Sequence, residues 1–244
     1  MNQYQLLKLF LSLKKSREKG ISLTELIVAL VISGIVLTAA ASGFVNVLRA
    51  NQSVESKTIR SSNLQKTLAF IQDEMKSARA VTRTSSSCSG SDSESCLVLT
   101  YPDGQEDWLD LNSDGIKDTC PSNPYIVYGY EDISASTSTE WLKPGLLKRK
   151  VFCDTQGGNW QVIADGLVSG NETNQPTTSC HAELSTTVYG MDSNDKGGFR
   201  FCLDTDDTDP ATAPNNRLAQ IFLYGHIDNN TNIPISVITF ARSE

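Results

Sequence analysis

Hydrophobic positions fall into three regimes along the 244 residues of the chain. From Ile21 to Leu48 apolar residues dominate every side of a would-be helix, and Glu25 is the one ionisable side chain. A run of this length exceeds the ~20 apolar residues that carry a helix across a bilayer. After Arg49 the composition turns polar, yet Val54, Leu64, Leu68, Ile71, Met75 and Ala78 mark a stripe with three- and four-residue steps, as in an amphipathic helix. No proline precedes Pro102, so one helix from Ile21 to about Val81 is expected, ~90 Å long at 1.5 Å per residue. Gly34 and Gly43 are its weak points, since glycine costs a helix ~1 kcal/mol. Beyond it lie short apolar or aromatic runs: Cys96 to Tyr101, Tyr125 to Tyr130, Leu146 to Phe152, Trp160 to Ile163, Phe199 to Leu203, Ala219 to His226 and Ile235 to Ala241. With turn-forming residues between them they read as strands. Two polar excursions, Val168 to Gly198 and Asp204 to Asn216, read as surface loops, mobile unless tied by Cys180 and Cys202. The expected fold class is α+β: a long N-terminal helix, half transmembrane and half amphipathic, packed on an antiparallel sheet. The segments expected are a leader over 1–20, a membrane helix over 21–48, its amphipathic continuation over 49–81 and a β-rich head over 82–244.

Charge orients this arrangement. Lys8, Lys14, Lys15, Arg17 and Lys19 precede the apolar run with one acid, Glu18, a positive-inside bias that keeps the first twenty residues in the cytoplasm and the head outside it. An acid within a membrane segment costs ~2.5–3.5 kcal/mol on insertion scales, so Glu25 signals a function and a partner. Ala39-Ala40-Ala41 offers a competing secretory cleavage site. Glu25 within the apolar run and its continuation through Phe44, Val45, Val47 and Leu48 argue against that use.

The stretch Lys19-Gly20-Ile21-Ser22-Leu23-Thr24-Glu25-Leu26-Ile27-Val28-Ala29-Leu30 resembles the prepilin signal of the type IV pilin and type II secretion pseudopilin superfamily. The resemblance implies a pilin-like fold and cleavage between Gly20 and Ile21 by a prepilin peptidase, with N-methylation of the new amine. Ile21 stands where the family normally has phenylalanine, while the glycine the peptidase needs is present. The resemblance further implies that Glu25 pairs with the N-terminal amine of a neighbouring subunit as the filament grows. Two opposite charges desolvated together offset part of each other's burial cost. Implied partners are the prepilin peptidase, other pilin or pseudopilin subunits, an inner-membrane assembly platform and membrane lipid. The implied location is the bacterial inner membrane, single-pass, then a pilus or pseudopilus. The head's size, with Trp160-Gln161-Val162-Ile163-Ala164-Asp165-Gly166-Leu167 and Gly198-Phe199-Arg200-Phe201, is similar to the J-type minor pseudopilins and their minor-pilin counterparts.

The net charge of −7 becomes −11 once the leader is removed, with 16 bases and 27 acids remaining. Direct nucleic-acid binding is not expected, because it needs a basic patch that displaces counterions. The cluster Lys143, Lys148, Arg149 and Lys150 reads as a solvated strand edge. Cys88, Cys96, Cys120, Cys153, Cys180 and Cys202 all follow the membrane segment, and an even set outside the cytoplasm reads as disulfides. Six cysteines allow 15 pairings; Cys88 with Cys96, across a Ser-rich loop, is the first choice, and the others stay open. Cys180-His181 as a nucleophile with its base is disfavoured, since adjacent side chains of an extended chain point apart.

Asp110-Leu111-Asn112-Ser113-Asp114-Gly115-Ile116-Lys117-Asp118 follows the first half of an EF-hand-type loop. Asp110, Asn112, Asp114 and the Ile116 carbonyl form a candidate Ca2+ set, with Asp118 adding a ligand directly or through water. The twelfth position is Pro121 rather than the usual bidentate Glu. An Asp/Asn/Gly-rich turn without metal is the alternative. Two histidines, no His-Glu-x-x-His and no Gly-x-Ser-x-Gly leave little for the known hydrolase arrangements. A structural filament subunit is the leading expectation. An anchored binding or adhesion domain that never polymerises comes second, and an enzyme released after Ala41 third.

Overall fold

The computed structural model describes residues 22–84, 88, 91–93, 95–109, 115–137, 140–190, 196–204, 217–228 and 231–241. The chain divides into two compact units, Met1–Val54 and Glu55–Glu244. One helix, α1 (Leu23–Ser77), passes unbroken through Gly34 and Gly43. Among the described residues eleven strands follow: β1 (Ala80–Thr84), β2 (Cys96–Thr100), β3 (Gln105–Leu109), β4 (Asp118–Cys120), β5 (Pro124–Asp132), β6 (Gly145–Cys153), β7 (Gln156–Gly157), β8 (Gln161–Leu167), β9 (Phe199–Leu203), β10 (Leu218–Asp228) and β11 (Thr231–Phe240). This is the α+β, pilin-like arrangement, one long helix and a large antiparallel sheet.

The sheet runs β1-β2-β5-β6-β8-β10-β11, with β7 beside β6 and β9 beside β10, while β3 and β4 form a separate pair. Strand β10 is shared along its far side: Ala219 to Leu223 pair with β9, and Gly225 faces Leu167 of β8. In the second unit α1 buries Leu64, Leu68, Ile71 and Met75 against Leu97, Leu99, Ile126, Tyr128, Leu147 and Ile221. Those four helix positions follow four-, three- and four-residue steps, which keeps them on one side of the helix. Val54, the first residue of the expected stripe, is exposed.

Three features depart from the expected layout. The helix stops at Ser77, because the Arg79 amide is taken by the Thr100 carbonyl (2.7 Å) and Ala80 to Thr84 pair with β2. Val81 and Thr82 are β-branched and fit a pleated, buried surface better than a helix. The excursion after Val168 is more than a surface loop: among its described residues Val168 and Leu184 are buried with Phe222 and Tyr224 on the outer face of β10, and the Cys180–Cys202 tie expected to hold it is present. Arg200, 4% exposed, holds it by donating to the Gly197 carbonyl (3.2 Å), the Pro176 carbonyl (2.6 Å) and Thr178 Oγ1 (3.0 Å). The expected basic edge is not an edge. Lys148, Arg149 and Lys150 lie in β6, between β5 and β8, and strand order alone put them there.

The disulfides are Cys88–Cys96, Cys120–Cys153 and Cys180–Cys202. Cys120–Cys153 ties the β3–β4 pair to the end of β6, and Cys180–Cys202 ties the packed excursion to β9. The thiol of Cys180 is therefore bonded to sulfur rather than poised beside His181.

Candidate functional site

The start of α1 is built from local chemistry. Ser22 caps it: the Glu25 and Leu26 amides donate to the Ser22 carbonyl at 3.0 and 3.2 Å, and the Ser22 and Thr24 hydroxyls share a hydrogen bond of 2.7 Å. Ser22 and Glu25 stand at the Ser-x-x-Glu spacing of a capping box, which places an acid in the first turn at the positive end of the helix dipole. That spacing explains why the helix begins at Leu23, at the mouth of the apolar run. Gly20 and Ile21, the expected cut, lie outside the described residues.

From Leu23 to Leu48 every side chain is exposed, Leu23 by 75%, Leu37 by 73% and Phe44 by 64% among them. Among the described residues α1 is the one helix long and apolar enough to cross a membrane. Two of its polar side chains are satisfied within the helix. Thr38 donates to the Ile35 carbonyl (2.9 Å) and Ser42 to the Thr38 carbonyl (2.9 Å). A hydroxyl bonded in this way carries no unmet donor into hydrocarbon.

The head end of α1 is fixed by a polar cluster that sequence reading did not single out. Arg149 donates to Glu74 through Nε, 3.1 Å from Oε1, and through Nη2, 2.6 Å from the same oxygen. The Tyr128 hydroxyl donates to Glu74 Oε2, and the Tyr101 hydroxyl donates to the Glu74 backbone carbonyl (2.9 Å). Glu74 and Arg149 side chains are 17% and 15% exposed, so this is a partly dehydrated bidentate pair. Burial alone lowers the Arg149 pKa; the hydrogen bond and charge of Glu74 overcome it and hold the guanidinium above its ordinary value. Burial, and then the charge of Glu74, raise both tyrosines above the ordinary phenol range. The available signal was weak, an acid facing the sheet beside a buried stripe, with its partner seventy-five residues away.

A second anchor lies earlier in the helix. Arg60 donates to the carbonyls of Gly166 (3.2 Å) and His226. Gly166 sits at φ +65°, a conformation that favours glycine, and a Cβ there would stand 2.9 Å from the Arg60 guanidinium, which would have to shift. Burial lowers the Arg60 pKa and Asp165 partly restores it.

Of the candidate calcium set, Asp110, Asn112 and Asp114 lie outside the described residues. Ile116 is exposed, Asp118 opens β4, and Gly115 adopts φ +88°, a turn that glycine permits.

The model of the prokaryotic N-terminal methylation motif matches residues 15–41. No curated protein matches the chain, and no solved structure does. The motif is the prepilin signal, and with the apolar helix behind it the chain fits a type IV pilin or pseudopilin, processed by prepilin peptidase and assembled with other pilin subunits.

Proposed function

We propose that this chain is a minor pilin or pseudopilin, most similar to the J type, that is cut after Gly20, held in the inner membrane by residues 21–48 and then drawn into a filament. The observation that carries this reading is the pairing of the matched signal with an exposed apolar helix whose first turn holds Glu25. A carboxylate there has no basic partner in its own turn, and an amine created at Ile21 of a neighbouring subunit is the complementary charge. The role is structural and needs no catalytic group. Mass spectrometry of the mature N-terminus tests it. A start at N-methylated Ile21 is expected; a start at Ser42 would make it a secreted protein, and an intact Met1 a plain anchor.

Residues 110–118 belong to this proposal as a calcium-stabilised turn, supported by their oxygen spacing and by the conformation of Gly115. Calcium at millimolar concentration is expected to raise the melting temperature of the full chain in detergent, and no shift would remove the metal from the account.

A further inference from the structure

In the connection between β5 and β6, Trp141 is 42% exposed and Leu142 is 56% exposed, and Ile59 of α1 is 54% exposed. Such side chains normally find cover when they cluster. Leu142, Ile59, Leu64 and Ile163 line one groove of about 510 Å³ between α1 and β8. The tip is held firmly. The Leu142 amide donates to Asp165 Oδ2 (3.0 Å), the Leu142 carbonyl accepts from Gly166 (2.7 Å), and Arg60 ties Gly166 to α1. Trp141 and Leu142 are thus presented outward on a braced turn, with Lys143 exposed behind them.

Their place in the head identifies what covers them. Arg60 and Leu64 stand at the end of the second unit where α1 enters it, beside Gly225 of β10. Only ten residues separate Leu48, the last of the apolar run, from Ile59, so the eleven steps between them span at most about 40 Å even fully extended. Two other large exposed apolar groups of the head, Phe70 and Phe240, lie away from this end. Phe70 lines a groove with Ser77, and Phe240 of β11 pairs with Leu218, seven residues along β10 from Gly225, a separation of about 23 Å. The residue types also fit: tryptophan settles at the headgroup level of a bilayer and leucine below it.

We infer that the Trp141–Leu142 tip, with Ile59 beside it, is a bilayer-contact surface that rests the head on the phospholipid interface while the subunit waits in the membrane. The inference builds on the reading of residues 21–48 as a membrane span. Withdrawal into a filament then exposes these groups for cover by another subunit. The contact is mainly apolar, so added salt leaves it in place.

Tryptophan fluorescence of the full chain in phosphatidylcholine vesicles with brominated acyl chains tests this directly. Bromine is expected to quench wild-type emission and to lose most of that effect in Trp141→Phe, which keeps Trp108 and Trp160 as internal reference. Leu142→Ser, at an exposed position, is expected to reduce the quenching while leaving the three disulfides formed. Vesicle flotation separates the two readings. A chain that floats, with quenching equal in wild type and Trp141→Phe, overturns the tip contact alone; a chain that does not float overturns both. A tip that crosslinks to a second subunit in these vesicles while staying unquenched also overturns it.

Discussion

Between Leu23 and Leu48 helix α1 presents apolar side chains to every side, whereas between Leu64 and Met75 it buries one stripe against its own sheet and leaves the remainder in water. Backbone geometry is the same in both stretches, and what differs is the origin of the cover. The second half finds it within the chain, through Leu68, Ile71 and Met75 and through the Glu74–Arg149 pair. The first half is exposed throughout among the described residues, and its length and apolar composition suit a membrane span. One secondary-structure element therefore carries two kinds of information, and each half should respond to mutation in a different assay.

The sharpest contrast is expected at Glu25. Glu25→Ala leaves cleavage after Gly20, membrane insertion and head stability unchanged but abolishes or strongly reduces recovery in filaments, as immunoblots of sheared filaments would show. Normal incorporation of that variant would break the comparison at its first half. Next in size is a matched pair on the same helix. Ile71→Ala, at a fully buried site, is expected to cost about 3 kcal/mol of head stability through lost burial and a cavity. Ile35→Ala, 64% exposed in the apolar half, is expected to leave denaturant unfolding of the head within experimental error. Equal effects at the two sites would show that the halves do not differ as described.

Arg149→Leu comes third. Removing one member of a mostly buried pair strands the other, and a loss of about 2–3 kcal/mol is expected in urea titration. Glu74→Gln with Arg149→Leu should recover part of it, because no buried charge is then left alone. The smallest effect concerns alkaline pH. Tyr101 and Tyr128 have raised pKa values in the folded head, from burial first and Glu74 second. The folded state keeps protons that the unfolded chain loses near pH 10, so the stability they contribute is complete below about pH 10 and declines as pH rises above it. Melting temperature should fall in that range, and more gently in Tyr128→Phe.

Much of this division is readable in the linear chain. The stripe at Leu64, Leu68, Ile71 and Met75 is a local periodicity, and seven of the strands coincide with apolar or aromatic runs. Strands β3, β4 and β7 escape because they are short and polar, as in Gln105–Leu109 and Asp118–Cys120. Strand β1 reads as helix because Ala78 and Val81 continue the stripe; only the waiting edge of β2 turns Ala80–Thr84 into a strand. Lys148 and Arg149 read as solvated because charge in a short strand usually is. Glu131 in β5 and Glu74 in α1 answer them at 2.7 and 2.6 Å, and nothing local to either sequence announces the other.

The sequence by itself determined that a prepilin methylation motif occupies residues 15–41, that the run behind it is long and apolar enough to cross a bilayer, and which face of the continuing helix is buried. Each of these depends on composition or periodicity within a few turns of chain, and solvation acts on them directly. The tertiary structure alone decided which cysteines meet after Cys88–Cys96, that a basic run lies at the centre of the sheet rather than at its edge, and that Trp141 and Leu142 stand at the end where α1 enters the head. Those outcomes depend on strand order and on contacts between residues far apart in the chain, where loop closure and packing of the whole core choose among partners that local sequence leaves equivalent.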